Sequence, residues 1–125
     1  MRHTVALFGE SEKGEFKKPY VLHELPQLID FLGNPPTGSE GLFFAIQALL
    51  YKREIIYFRV EEEGFSRGDY ILGFKYLEPM KQLHALALPG VGDVEILEAS
   101  QRLCEIHKSL LISTQRDLFD YLTSA

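Results

Sequence analysis

Cysteine is nearly absent from this chain. A single residue, Cys104, is present, so no internal disulfide can form. That pattern fits a reducing compartment and sets the expectation of a cytoplasmic protein. Long hydrophobic runs are also missing. No stretch approaches the roughly 18 apolar residues needed to span a bilayer. Met1-Arg2-His3-Thr4 runs straight into a short apolar stretch with no small-residue cleavage site, so no signal peptide is expected. Positive charge is scarce: 13 Lys and Arg stand against 18 Asp and Glu, for a net charge of −5. Such a balance argues against nucleic acid, whose recognition needs a basic face, and against docking on anionic lipid. The four histidines, His3, His23, His84 and His107, lie far apart. Neither HExxH nor CxxC occurs, so no metal site is expected.

What is present is an ordinary globular composition. The 125 residues are 46% hydrophobic and 25% charged, enough for one domain with its own core. Thr4 to Phe8 (TVALF) reads as a buried strand closed by Gly9. A polar loop with two glycines follows, and Tyr20 to Leu22 forms a second short strand with Pro19 at its start, where a missing N–H is tolerated. Leu25, Leu28, Ile29 and Leu32 share a helical face. Pro26 sits in the first turn of that helix and Gly33 at its end. Asn34-Pro35-Pro36-Thr37-Gly38 is a loop. Ser39 is placed to cap a second helix that buries Leu42, Ala45, Ile46 and Leu49. Glu54 to Val60 (EIIYFRV) is β-branched and aromatic, hence a strand, and Glu61-Glu62-Glu63-Gly64 leads out to solvent.

Residues 69–78 fit either period. Tyr70, Leu72, Phe74 and Tyr76 alternate like a strand, while Tyr70, Phe74 and Leu77 share a helical face. Helix is preferred because Pro79 would end it just before the next strand, Leu83 to Leu88. Pro89-Gly90 closes that strand. Asp93 caps a helix with Ile96, Ala99, Leu103 and Ile106 on its core face, and His107 and Lys108 lie at the end that favours cations. Leu110 to Ser113 is a last strand. Thr114 caps a final helix with Leu118 and Leu122 inward. Strands alternating with helices predict a single-domain α/β fold over residues 1–125, with a largely parallel sheet of four to five strands flanked by helices.

Candidates for chemistry are few. His84 reads as a packed or edge-facing histidine and Cys104 as a buried, inert thiol. Gly9-Glu10-Ser11-Glu12-Lys13-Gly14 follows a strand, where α/β proteins bind ligands. It lacks the GxxxxGK[ST] order, however, and its glutamates repel phosphate. Pro89-Gly90-Val91-Gly92-Asp93 leads into a helix N-terminus, but Asp93 would cap that helix and compete with an anion. Glu10, Glu12, Asp93 and Asp117 all fall near strand C-termini, with no pairing legible from spacing. Glu61-Glu62-Glu63 reads as a solvated turn. Arg59, in a buried strand, calls for a partner, expected among those glutamates or Asp93. Neither catalytic residues nor a cofactor are assigned.

Taken in order, several segments resemble the contractile tail sheath proteins of phages and phage-like particles. They are the loop GESEKGEFKKPYVL, a helix ending in Phe31-Leu32-Gly33 before proline, a helix carrying AIQALLY, and a strand ending in Arg59-Val60. Further on come LHALALPGVGD, the pair Cys104-Glu105 and the strand LLIST. The family pattern runs G-x-x-x-x-G-P, a helix ending F-G, then a helix and a strand ending V-R-V. The resemblance spans about residues 4 to 120. Departures are plain: Glu15 follows Gly14 where the family has proline, Leu32 replaces phenylalanine, and Tyr51-Lys52-Arg53 replaces an asparagine–glycine turn. Sheath subunits also carry a C-terminal region and linking arms beyond the segment matched.

The resemblance implies a non-enzymatic structural protein acting through protein partners, by self-association or within a phage-like assembly. Strand addition at an open sheet edge is one route. The alternative is a small α/β domain binding a nucleotide or other phosphorylated molecule through the Gly9–Gly14 loop, the Pro89–Asp93 turn and Thr114-Gln115-Arg116. The stretch Gly64 to Gly73 is weakly similar to nucleoside deoxyribosyltransferases, but Leu72 stands where that likeness needs a glutamate nucleophile.

Overall fold

A computed structural model describes residues 3–124. The central strand β1 (Thr4–Gly9) is buried along its whole length, which explains the unbroken apolar run TVALF. Around it lie β2 (Pro19–Leu22), β3 (Glu54–Arg59), β4 (Ala85–Ala87) and β5 (Leu110–Ile112) in the order β2-β3-β1-β4-β5. The β3-β1-β4-β5 ladder is parallel and β2 is antiparallel to β3. The helices are α1 (Leu25–Leu32), α2 (Gly41–Leu50), α3 (Arg67–Leu77), α4 (Val94–His107) and α5 (Gln115–Thr123). The α/β class and the mostly parallel sheet expected from the sequence are both found, and residues 69–77 are helical.

Side chains alternate along each strand and so split the core in two. Val5, Leu7, Ile55, Tyr57, Ala85 and Ala87 pack under α1, α2 and α5. Ala6, Phe8, Ile56, Phe58, Leu86 and Leu88 pack under α3 and α4. The arrangement follows from chain direction. The path steps one way from β1 to β3, then reverses across β1 to reach β4 and β5. Right-handed crossovers put the helices of the reversed steps on the opposite face. The result is a helix–sheet–helix sandwich.

Two predicted helix faces prove narrower than the periodicity suggests. Leu28 and Leu32 are buried but Ile29 is 58% exposed, and Leu103 is buried while Ile106 is 62% exposed. Each helix presents only a narrow stripe to the sheet, and the branched residue at its margin faces out. Asp93 and Thr114 cap α4 and α5 as expected: Asp93 accepts from the Glu95 and Ile96 N–H groups and Thr114 from Asp117. Ser39 does not cap α2; its hydroxyl donates instead to Glu63, 2.7 Å away.

Candidate functional site

In a doubly wound sheet, ligands are received where two neighbouring strands send their connections to opposite faces. Here those strands are β1 and β4. From β1 the chain runs to α1 and α2; from β4 it runs to α4 on the other side. The C-terminal ends of these strands bring together much of what the sequence singled out. Glu10 follows β1, Gly90 follows β4, and Gln115 Nε2 at the start of α5 donates to Glu40 Oε1 at 3.3 Å. A groove over this edge is lined by Glu10, Glu40, Glu62, Glu63, Phe65 and Gly90.

Its centre is Glu63, and here the sequence expectation is corrected. Glu63 does not run out to solvent with Glu61 and Glu62. Its carboxylate turns inward and accepts four hydrogen bonds: from the Glu10 N–H (3.0 Å), the Ser39 hydroxyl (2.7 Å), the Glu40 N–H (2.7 Å) and the Gly41 N–H (3.1 Å). Its own N–H donates to Glu10 Oε2 at 2.9 Å. A carboxylate from 22 residues downstream thus satisfies two of the orphan donors at the α2 N-terminus, those of Glu40 and Gly41, and sits where the helix dipole favours negative charge. α2 has no acidic residue in its first turn, so Glu63 supplies what the helix lacks locally.

Three features aim Glu63. Gly64 adopts φ 89°, and a side chain there would collide with the Gly90 carbonyl. The Gly64 N–H donates to the Tyr70 hydroxyl at 2.6 Å, fixing the turn to α3. Gly9 and Gly41 touch backbone to backbone: a Cβ on Gly9 would lie 2.6 Å from Gly41 Cα. Only glycines let the end of β1 and the start of α2 approach so closely. Tyr57 closes the floor by donating to the Glu10 carbonyl at 2.9 Å. Burial pushes its phenol far above the usual range, and the Glu63 charge adds to the effect. Burial likewise raises Tyr70. Both hydroxyls therefore stay protonated.

The remaining sequence candidates are dispersed. Asp93 points to Arg67, which it meets at 2.8 Å, with Glu95 at 3.2 Å from the same guanidinium. That hydrogen bond, with the Ile96 N–H, holds the Asp93 carboxyl below the ordinary range. Arg59 does not pair with the glutamates or with Asp93. It donates to the Gly14 carbonyl at 2.6 Å and lies 4.2 Å from the Phe16 ring centre, so a carbonyl and an aromatic face replace the expected carboxylate. Glu12 accepts from the Asn34 N–H. Asp117 lies in the first turn of α5, and Arg116 is exposed. Cys104 is buried, which pushes its thiol up to about 11. His84 stacks on His3 at 4.3 Å, and its Nδ1 accepts the Thr4 N–H at 2.9 Å. Among the described residues, no group of three or more His, Cys, Asp or Glu could hold a metal ion, and no helix is long and apolar enough to cross a membrane.

The sheet edges offer little for strand addition. Even-numbered residues of β3 direct their backbone to β1, as Glu54 N–H to His3 and Val60 N–H to Gly9 show. Tyr20 and Leu22, opposite Tyr57 and Ile55, therefore bond inward, and Pro19 and Val21 face out. Pro19 has no N–H to offer, and Lys17 and Lys18 precede it. At the other edge Leu110 and Ile112 turn their backbone to β4, so within β5 only Leu111 faces out. A proline, lysines and a three-residue strand are the usual guards of an edge.

The helical surface is different. α2 (GLFFAIQALL) contains no charged residue at all, yet Phe43 is 42% and Leu50 57% exposed, and Tyr51 at its end is also exposed. Phe119, on the neighbouring α5, is 60% exposed. No protein-family model, curated protein or solved structure matches this chain.

Proposed function

We propose that this chain is a non-catalytic structural module that works through contacts with protein. The observation that carries the reading is Glu63. The crevice where a doubly wound sheet receives an anionic ligand holds the protein's own carboxylate, with its donors already engaged. Glu10, Glu40 and Glu62 surround it and make the edge repulsive to phosphate. The apolar outer side of α2 and α5 supports the same reading from the opposite direction, because large exposed aromatic side chains in a cluster mark contact surfaces. A structural role within a sheath-like assembly, as the sequence resemblance implies, is compatible with this surface. The guarded sheet edges favour helix faces over strand addition as the means of contact.

One observation favours a second reading. Three backbone N–H groups and a hydroxyl converging at a helix start are also suited to a phosphoryl group, should the Glu63 loop swing out. A thermal-shift panel of nucleotides and phosphorylated small molecules at millimolar concentration separates the two. A ligand at about 100 times its Kd stabilises by about 2.7 kcal/mol, a shift of several degrees. We expect no shift from any compound. A saturable rise with one of them would overturn the structural reading and establish the second.

A further inference from the structure

We propose that the outer face of the α2–α5 pair is a two-fold interface between copies of this chain, with Phe119 of each copy seated in the groove of the other. This inference rests on the protein-contact reading above and names the partner. α2 and α5 lie side by side on one face of the sheet, packed over the same core. Between them is an open groove of about 160 Å³, lined by Phe43, Tyr51, Leu118 and Leu122 with Gln47 and Gln115, and by Phe119, whose ring is largely exposed.

Four observations converge on a second copy. The first is the sequence of α2. A helix that is apolar all round belongs in a buried place, but only one side of α2 is buried here. Phe43, Gln47, Leu50 and Tyr51, at i, i+4, i+7 and i+8, form an outer stripe backing onto the buried Leu42, Ala45 and Leu49.

The second is fit. An apolar cavity of about 150 Å³ takes up a benzene molecule, so the groove has room for one phenyl ring. Phe119, 60% exposed beside it, is such a ring. Knob and hole on the same face are the condition for an isologous contact, which closes on itself as a dimer.

The third is charge. At −5, two copies repel one another at most approaches. This groove has no Asp, Glu, Lys or Arg among its lining residues. By contrast, the groove beside β5 carries Asp117 and Asp120, and the edge groove carries four glutamates. Self-apposition at α2–α5 brings no like charges together within the groove itself, and Arg116, Asp117 and Asp120 on α5 fall at its margin.

The fourth is area. With aromatic side chains of 150–250 Å² each, the exposed portions of Phe43, Leu50, Tyr51 and Phe119 supply roughly 350 Å² of apolar surface per copy. That is about half of a standard interface side of roughly 800 Å². An apolar patch of that size belongs to a weak contact, which the test below meets by reaching high concentration.

The test is sedimentation velocity from about 1 μM to about 1 mM, with unfolding curves as the folding control. The wild-type mass should rise from 14.3 kDa to twice that value and stop. Phe119→Asp should stay monomeric throughout, and Phe119→Ala should weaken the dimer at least tenfold, both with near-native unfolding because the side chain is exposed. Gln47→Glu, which sets one carboxylate on each side of the axis, should weaken it too. Ile29→Asp, on the exposed outer side of α1, should dimerise like wild type. A wild-type chain that stays at 14.3 kDa, a dimer that persists in Phe119→Asp, growth past the dimer, or equal loss in Ile29→Asp would each overturn the interface. Failure here with a silent nucleotide panel leaves the protein-contact reading in place with another partner. A nucleotide shift with the dimer intact overturns that reading and leaves the interface.

Discussion

Replacing Glu63 with alanine tests whether a single buried-facing carboxylate organises the C-terminal edge of the sheet. The substitution removes an acceptor from four donors at once, three of them backbone N–H groups at the start of α2 and the end of β1 that have no other partner among the described residues. Loss of a helix N-cap costs about 1 kcal/mol, with a range of about 0.5–2. Hydrogen bonds to a charged group contribute about 1.5–3 kcal/mol each when isolated, but they share one acceptor here and are not additive. The edge groove admits water to some of the orphaned donors, which caps the loss. We therefore expect Glu63→Ala to cost about 2–3 kcal/mol, a fall in Tm of about 6–12 °C for a domain of this size. Glu63→Gln should lose less than Glu63→Ala. Its carbonyl oxygen can keep the Glu10, Ser39 and Gly41 donors, but its amide then confronts the Glu40 N–H with a second donor. Glu61→Ala and Glu62→Ala, two residues and one residue away, should stay within about 0.5 kcal/mol. Urea unfolding followed by far-ultraviolet circular dichroism reads all four. A Glu63→Ala variant no weaker than Glu62→Ala would refute the argument.

Three further outcomes follow from the packing. A Cβ on Gly73 would run into the Phe8 ring and lie 3.3 Å from Phe58, so Gly73→Ala should lose about 1–3 kcal/mol despite its better helix propensity. Gly68→Ala, with nothing within 4 Å, should gain up to about 1 kcal/mol; equal effects at the two sites, read by chemical unfolding, would contradict the placement of α3. The His84 pKa is lowered by burial, with His3 and Arg53 adding to it, so the unfolded chain binds the proton more readily. Its contribution is complete above the ordinary histidine pKa of about 6.5 and is lost as pH falls from that value through the lower pKa of the folded state. Stability measured between pH 7.5 and 5.5 should drop in wild type and drop less in His84→Gln. Cys104, with its thiol at about 11, should react with a disulfide reagent at pH 8 at least about 100-fold more slowly than an ordinary thiol. Denaturant should restore the rate, and fast native labelling would place Cys104 at the surface.

Much of the fold was legible because its signals are local. TVALF and EIIYFRV declare themselves as buried strands by unbroken β-branched and aromatic character. Pro19 marks the outward side of an edge, and Asp93 and Thr114 cap the helices they precede. The ambiguous stretch near residue 70 resolves as helix because Phe74 and Leu77 reach the core that Phe8 and Phe58 line. The candidate site was not legible, and the reason is physical. Glu61, Glu62 and Glu63 are identical in sequence, and only the third meets the α2 N-terminus. That meeting is decided by Gly64 at positive φ, by Tyr70 holding its N–H, and by the Gly9–Gly41 contact across 32 residues. What the sequence did offer was a pair of weak hints: a helix without an acidic first turn, and a glycine ending an acidic run. Arg59 shows the same limit. Its partners are a carbonyl and a ring, neither of which a search for opposite charge can find.

The two surfaces that distinguish this molecule are physically linked through one helix. The first N–H of α2, at Gly41, donates to Glu63, and the outer stripe of the helix begins only two residues later, at Phe43, and runs to Tyr51. No residue within the helix is charged, so the Glu63 carboxylate, beside the N-cap Glu40, contributes to stabilising its dipole and ties its first turn to the sheet edge. Leu42, Phe44 and Leu49 keep the helix on the core, so loss of the anchor should loosen only the first turn, where the exposed Phe43 side chain lies. A variant such as Glu63→Gln, still folded, should weaken self-association by several-fold without touching a residue of the α2–α5 groove. Sedimentation of Glu63→Gln at matched fraction folded reads this directly. A dimer as tight as wild type would show that the groove is set by α5 and the core alone, and that the filled crevice and the contact face are independent features of the fold.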